Sequence, residues 1–72
     1  MSNSLNDYKN MVENFTTQIN KIEFMETMLI LELLQTLTRW EEHTRREGHN
    51  DIWYSLQMLS HRLKTEIVRR CK

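Results

Sequence analysis

In 72 residues the chain has no proline, one glycine (Gly48) and one cysteine (Cys71). Each shortage removes a class of structure. Pro and Gly are the strongest breakers, so helices run with little to interrupt them, and one glycine cannot build a glycine-rich phosphate loop. A single cysteine allows neither an intrachain disulfide nor a cysteine-based zinc site, and a lone thiol beside Lys72 suits a reducing compartment, which points to the cytoplasm. Long apolar runs are missing as well. The longest unbroken one here, Met28 to Leu31, falls far short of the ~20 residues a bilayer span requires, and Glu23, Glu26 and Glu32 interrupt its surroundings. The opening Met-Ser-Asn-Ser-Leu-Asn-Asp-Tyr has no basic n-region and no apolar h-region, so no Sec-type signal is expected and the Asn14-Phe15-Thr16 sequon carries no glycosylation meaning.

What is present is apolar residues at helical spacing. Ile22, Phe24, Met25, Met28, Leu29, Ile30, Leu31, Leu33, Leu34 and Leu37 surround a helix, leaving no gap wider than about 60°. Such a segment wants more than one partner. A second helix over about residues 51–70 has an ordinary one-sided stripe, Ile52, Leu56, Leu59, Leu63 and Ile67. Between them the punctuation is Gly48, which can take the left-handed conformation that ends helices, followed by Asn50 as a cap and Asp51 in the next first turn. The sequence therefore predicts one all-α domain over residues 1–72, an antiparallel helical hairpin. Helix one would span about residues 4–46, capped by Ser4, the turn residues 47–50, and helix two about residues 51–70. Glu41 with Arg45 and Glu42 with Arg46 have the favoured i, i+4 order. Folded through that turn, facing residue numbers sum to about 98. Residues 1–38 carry net −3 and residues 39–72 net +3, so the antiparallel halves attract weakly.

The hairpin is unbalanced. At 1.5 Å per residue helix one would be about 63 Å long and helix two about 30 Å, leaving residues before about 26 without cover. That overhang is apolar: Leu5, Tyr8, Val12, Phe15, Ile19 and Ile22 recur in steps of three and four. Below about 70 to 80 residues a single core rarely supplies more than ~3 to 5 kcal/mol, so completion by oligomerisation or a partner chain is the expectation. The partner-binding candidates are Leu5, Tyr8, Val12, Phe15, Ile19, Ile22, Phe24, Met28, Leu31 and Leu34. An alternative is a break at the β-branched pair Thr16 and Thr17, with residues 4–15 folding back as a third helix. No Gly or Pro marks that break, and a continuous helix is preferred.

Chemistry is sparse. His43, His49 and His61 lack an HExxH spacing or a second ligand group, and they read as exposed helical histidines without metal. A small hairpin offers no pocket of the ~300 Å³ that a small-molecule site takes, so no catalytic residue, cofactor or enzyme activity is expected. Arg62, Lys64, Arg69, Arg70 and Lys72, with Arg45 and Arg46, could meet phosphates; zero net charge, a pI near 6.8 and Glu66 within reach of Arg62 and Arg70 argue against nucleic acid. Trp40, Trp53 and Tyr54 flank the turn as packing anchors, and Met25, Met28 and Met58 offer adaptable surface or core filling.

A chain of this length, with a long first helix, the turn Arg-Arg-Glu-Gly-His-Asn-Asp-Ile-Trp-Tyr (Arg45 to Tyr54) and an amphipathic second helix, resembles the small E-type co-chaperones of bacterial type III secretion systems. In that family a helical hairpin joins a tetratricopeptide-like chaperone, and the pair holds the needle subunit soluble in the cytoplasm before export. The resemblance implies those two partners and no catalytic residue. Other readings use the same residues: a homodimeric helical-bundle regulator or anti-activator, a secreted needle or rod subunit, or a small DNA-binding hairpin. Needle subunits usually have prolines in their turn, and this chain has none.

Overall fold

The computed structural model describes residues 4–71, with side chains from residue 6 onward. Among them are three α-helices, α1 (Ser4–Ile19), α2 (Thr27–Glu47) and α3 (Asn50–Cys71), with a short 3-10 turn at Ile22–Phe24 between the first two. No strand occurs among the described residues. The expected cap at Ser4 lies outside the described side chains.

The helices run up, down and up in a bundle of 45 × 19 × 16 Å. At one end the Tyr8 ring meets Trp40, His43 and His49, with centroids 6.0, 6.0 and 4.9 Å away. At the other, Arg62 Nη1 donates to Asn20 Oδ1 (3.3 Å) and Arg70 Nη1 to Thr27 Oγ1 (3.1 Å). These pairs set α1 antiparallel to α2 and parallel to α3. Gln57 Nε2 donates to Glu41 Oε1 (2.6 Å), so facing numbers on α2 and α3 sum to 98 there and to 97 at Arg70 and Thr27. The core is one cluster: Tyr8, Phe15, Ile19, Ile22, Ile30, Leu33, Leu37, Ile52, Leu56, Leu59 and Leu63.

The single long helix expected over residues 4–46 does not form. It is broken at residues 20–26, and the break is not at Thr16 and Thr17 either. Those hydroxyls donate to Val12 O (2.8 Å) and Glu13 O (3.0 Å) inside an intact α1, the ordinary back-bonding of threonine within a helix. Two causes place the corner later. Continuing from Ile22 in steps of three and four, the apolar seam reaches Glu26 before Ile30, Leu33 and Leu37; a straight helix would carry that carboxylate in its apolar stripe. Glu26 instead stands exposed in extended backbone (φ −69°, ψ 148°) just ahead of α2. The second cause is burial. Tyr8, Phe15, Ile19 and Ile22 each gain ~1.5 to 3 kcal/mol by leaving water, whereas a hydrogen bond lost at the corner costs a net ~0.5 to 1.5 kcal/mol. Few are lost. Asn20 N–H still reaches Thr16 O (2.9 Å), Lys21 N–H reaches Gln18 O (3.0 Å), Phe24 N–H reaches Lys21 O (3.0 Å) and Met25 N–H reaches Ile22 O (3.1 Å).

Gly48 ends α2 as its position suggests. At φ +82° its N–H donates to Arg45 O (3.2 Å), and the next amide, His49, donates to Thr44 O (2.9 Å), the paired bonds of a Schellman ending. The first helical bond of α3 runs from Trp53 N–H to His49 O (3.0 Å). Glu41 does not pair with Arg45. Its carboxylate reaches across to α3, where Gln57 and Ser60 both donate to it. Glu42 does pair with Arg46 at 3.3 Å, with both side chains in solvent.

Candidate functional site

The candidate binding residues divide at the corner. Tyr8, Phe15, Ile19 and Ile22 are buried in the chain's own core, and Val12 and Leu34 are half-buried against it. As a docking seam, residues 8–22 are therefore withdrawn, because α1 folds back, Tyr8 packs on Trp40, His43 and His49, and Phe15, Ile19 and Ile22 join the same core. Leu5 lies outside the described side chains. Past the corner the picture changes. Phe24 is 88% exposed, Met28 66% and Leu31 38%, and Leu29, which the sequence reading did not single out as a site, is 48% exposed. Local backbone explains Phe24. It sits in the 3-10 turn, where Ile22 takes the inward position and Phe24 is turned to solvent.

Along α2 the inward positions are Ile30, Leu33, Leu37 and Thr44. Met28, Leu29 and Leu31 fall between them, so a helix that is apolar all round buries one side and exposes the others. α3 adds Val68, 55% exposed, near its C-terminal end. Because Arg70 contacts Ile22 and Thr27, that end lies against the corner, and Val68 shares the same pole of the bundle as Phe24 and Met28. Two further exposed residues, Tyr54 and Met58, are on α3 toward the Gly48 end. With Val68 they follow the spacing 54, 58, 61, 65, 68, a second stripe opposite the core-facing one. That spacing was legible, but His61 and Thr65 dilute it. Tyr54 is not the packing anchor expected; Trp53 is half-buried and Tyr54 leans on its ring at 5.3 Å.

Electrostatics at the corner are organised by α3. The Glu66 side chain accepts from Arg69 Nε (3.0 Å) and Nη2 (2.5 Å) and from Arg70 Nε (2.7 Å), not from Arg62. Hydrogen bonds from Arg69 and then Arg70 hold its carboxyl down at a pKa of about 2, and the Arg69 guanidinium is raised by the same contact. Arg70 also donates from Nη2 to the Ile22 carbonyl (2.9 Å), which ties the end of α3 to the 3-10 turn. Thus two of the basic residues near the C-terminus have protein partners, which lowers the positive potential available for phosphates.

Between α1 and α2 an open groove of ≈ 360 Å³ is lined by Asp7, Tyr8, Met11, Trp40 and His43, and a hollow of ≈ 370 Å³ adjoins it over Thr36 and Arg39. The expectation that the chain offers no space of ~300 Å³ therefore does not hold, although both hollows stand wide open to solvent. Trp40 packs edge-on against both Tyr8 and His43. Among the described residues no group of His, Cys, Asp and Glu side chains gathers to hold a metal ion. Nor is any helix long and apolar enough to cross a membrane. No family model, curated protein or solved structure matches this chain.

Proposed function

We propose that the chain works by protein contact, as a non-enzymatic co-chaperone that joins a tetratricopeptide-like chaperone and keeps a type III secretion needle subunit soluble in the cytoplasm. The observation behind protein binding is the exposure of Phe24, Met28, Leu29 and Leu31 on one short stretch beside the corner. Isolated apolar residues on a surface are ordinary, but four large ones exposed within eight positions, on more than one side of the start of α2, leave apolar surface for another molecule to cover. A concave helical-repeat surface suits it, since a convex corner with a protruding aromatic fills a groove. Burying such side chains contributes ~1.5 to 3 kcal/mol each against an association cost of ~4 to 15 kcal/mol, enough for a specific complex if several act together. The choice of partner rests on the sequence resemblance in the Arg45 to Tyr54 turn and the helix after it.

The test is co-purification of the chain with a co-expressed tetratricopeptide-like chaperone and type III secretion needle subunit, comparing wild type with Phe24→Asp and Met28→Asp. The expected result is a stable complex for wild type and its loss in both variants, with the helical circular dichroism of the free chain unchanged. A complex that survives both substitutions removes this face, and no complex for wild type removes the co-chaperone reading.

A further inference from the structure

The corner between α1 and α2 is made without glycine or proline. On both sides of it the core residues keep one helical phase. Tyr8, Phe15, Ile19 and Ile22 lead in steps of three, four and seven to position 26 and on to Ile30, Leu33 and Leu37, all buried. A straight helix through residues 20–26 would therefore join α1 and α2 in one apolar stripe, interrupted at Glu26. We propose that the chain exchanges α1 with a second copy of itself: residues 20–26 straighten, α1 and α2 become one helix, and the α1 of each copy fills the groove on the other copy's α3.

The occupant follows from the fold, because the groove already holds α1 and a second copy brings an identical one. Every α1 contact with α3 is then available in both forms, and the difference lies at the corner. Tyr8 stands against Trp40 and His43, so facing numbers on α1 and α2 add to about 50, and the two-fold axis of the exchanged pair falls near residue 25. Glu23 and Glu26 of both copies would gather beside that axis, with Glu26 on the apolar stripe. In the folded-back chain both are exposed. Like charges and a carboxylate against apolar neighbours penalise the straight form, and the bond from Arg70 to the Ile22 carbonyl, which that carbonyl accepts alongside the one from Met25 N–H, spans the corner and is given up when residues 20–26 straighten. These acids and Arg70 hold the chain closed. The inference stands whether or not a partner binds the Phe24 to Leu31 surface.

Two variants oppose each other. Glu23→Ala with Glu26→Leu removes the charges and favours the straight helix. Thr27→Pro blocks it: Thr27 is the first residue of α2, where proline fits, and Glu26 at ψ 148° already has the backbone that a following proline requires. Inside a continuous helix the same proline would clash with the carbonyl of Glu23. Size-exclusion chromatography with light scattering, after refolding at high concentration, reads the outcome. The double variant is expected to raise the dimer–monomer association constant about tenfold or more, equivalent to at least ~1.4 kcal/mol. Adding Thr27→Pro returns it to monomer with helical circular dichroism retained. Dissociation of the dimer should be no faster than unfolding of the chain itself, since exchange requires α1 to leave its groove. Should the double variant fail to fold, Glu26→Ala alone carries the same expectation. A folded variant that stays monomeric overturns the proposal. So does a dimer that Thr27→Pro leaves intact or that dissociates faster than the chain unfolds.

Discussion

At the Gly48 end of the bundle the chain reverses in two residues, with a left-handed glycine and two backbone hydrogen bonds closing α2. At the opposite end it takes seven residues, 20–26, passes through a 3-10 turn and contains neither glycine nor proline, with Asn20 its one turn-favouring residue. The first reversal is local chemistry: remove every other part of the protein and Gly48 would still end a helix. The second is imposed from outside, by the burial of α1 on α3 and by the unsuitability of Glu26 for an apolar stripe. One consequence is their surroundings. Aromatic rings from Tyr8, Trp40, His43 and His49 pack together near the Gly48 turn, whereas the corner leaves Phe24 and Met28 in water and relies on Arg70 to hold it.

If the corner is held by tertiary burial, it should fail when α1 loses a core contact. Ile19 is fully buried at the end of α1, immediately before the corner. Ile19→Ala should cost ~2 to 5 kcal/mol, comparable to the whole stability of a domain this small, and urea unfolding by circular dichroism would measure it. A loss near zero would mean α1 is not docked in solution. The Gly48 turn should respond less. Gly48→Ala meets no atom within 4 Å of the added Cβ, so the cost is the left-handed backbone alone, about 1 to 2 kcal/mol in the same experiment. Equal effects at the two sites would erase the distinction between a local and an imposed turn.

This difference also sets what could be read from the sequence. The stripe Ile52, Leu56, Leu59, Leu63 and Ile67 and the left-handed Gly48 were legible because period and backbone preference lie within one segment. The structure buries the first four, half-buries Ile67 and holds Gly48 at φ +82°, while Asn50, expected as the cap, is already the first residue of α3. The corner at 20–26 was not. Its cause is a comparison between folding α1 onto α3 and leaving it for another chain, and only the energy of long-range burial decides it. The candidate surface inherits that limit: the seam Tyr8 to Ile22 has the same pattern whether its partner is α3 or a second protein. Phe24, Met28 and Leu31 were identified from the all-round wheel and remain outward. Leu29 was on that wheel but was not chosen, and Val68 lay outside the core stripe of α3.

The ion cluster that braces the corner supplies a smaller handle. Glu66 has its pKa lowered from 4.5 to about 2, so its contribution to stability is complete above about pH 4.5 and is lost as pH falls toward 2. Solvent around Arg69 screens part of the interaction, which keeps the effect below that of a core truncation. Acid titration of the urea midpoint should show this loss in wild type and a flatter profile in Glu66→Gln. Identical profiles would place the acid sensitivity elsewhere.

The smallest effect belongs to the Gly48 end. Glu42 and Arg46 form an ion pair at 3.3 Å with both side chains more than 70% exposed. Such i, i+4 pairs contribute about 0.3 to 0.5 kcal/mol, and salt screens them. Glu42→Ala should therefore shift the urea midpoint barely above error in dilute buffer and not at all in ~1 M salt, where the Debye length is about 3 Å. Glu41, one residue earlier, accepts from Gln57 and Ser60 across the α2–α3 contact. Glu41→Ala should cost more, about 1 to 3 kcal/mol, and keep most of that cost in salt, because Ser60 is buried and would lose its acceptor. If the two neighbouring glutamates behaved alike, the closeness of α2 and α3 near the Gly48 turn would not depend on the polar contacts that span it, and the apolar stripe of α3 would hold that end of the bundle by itself.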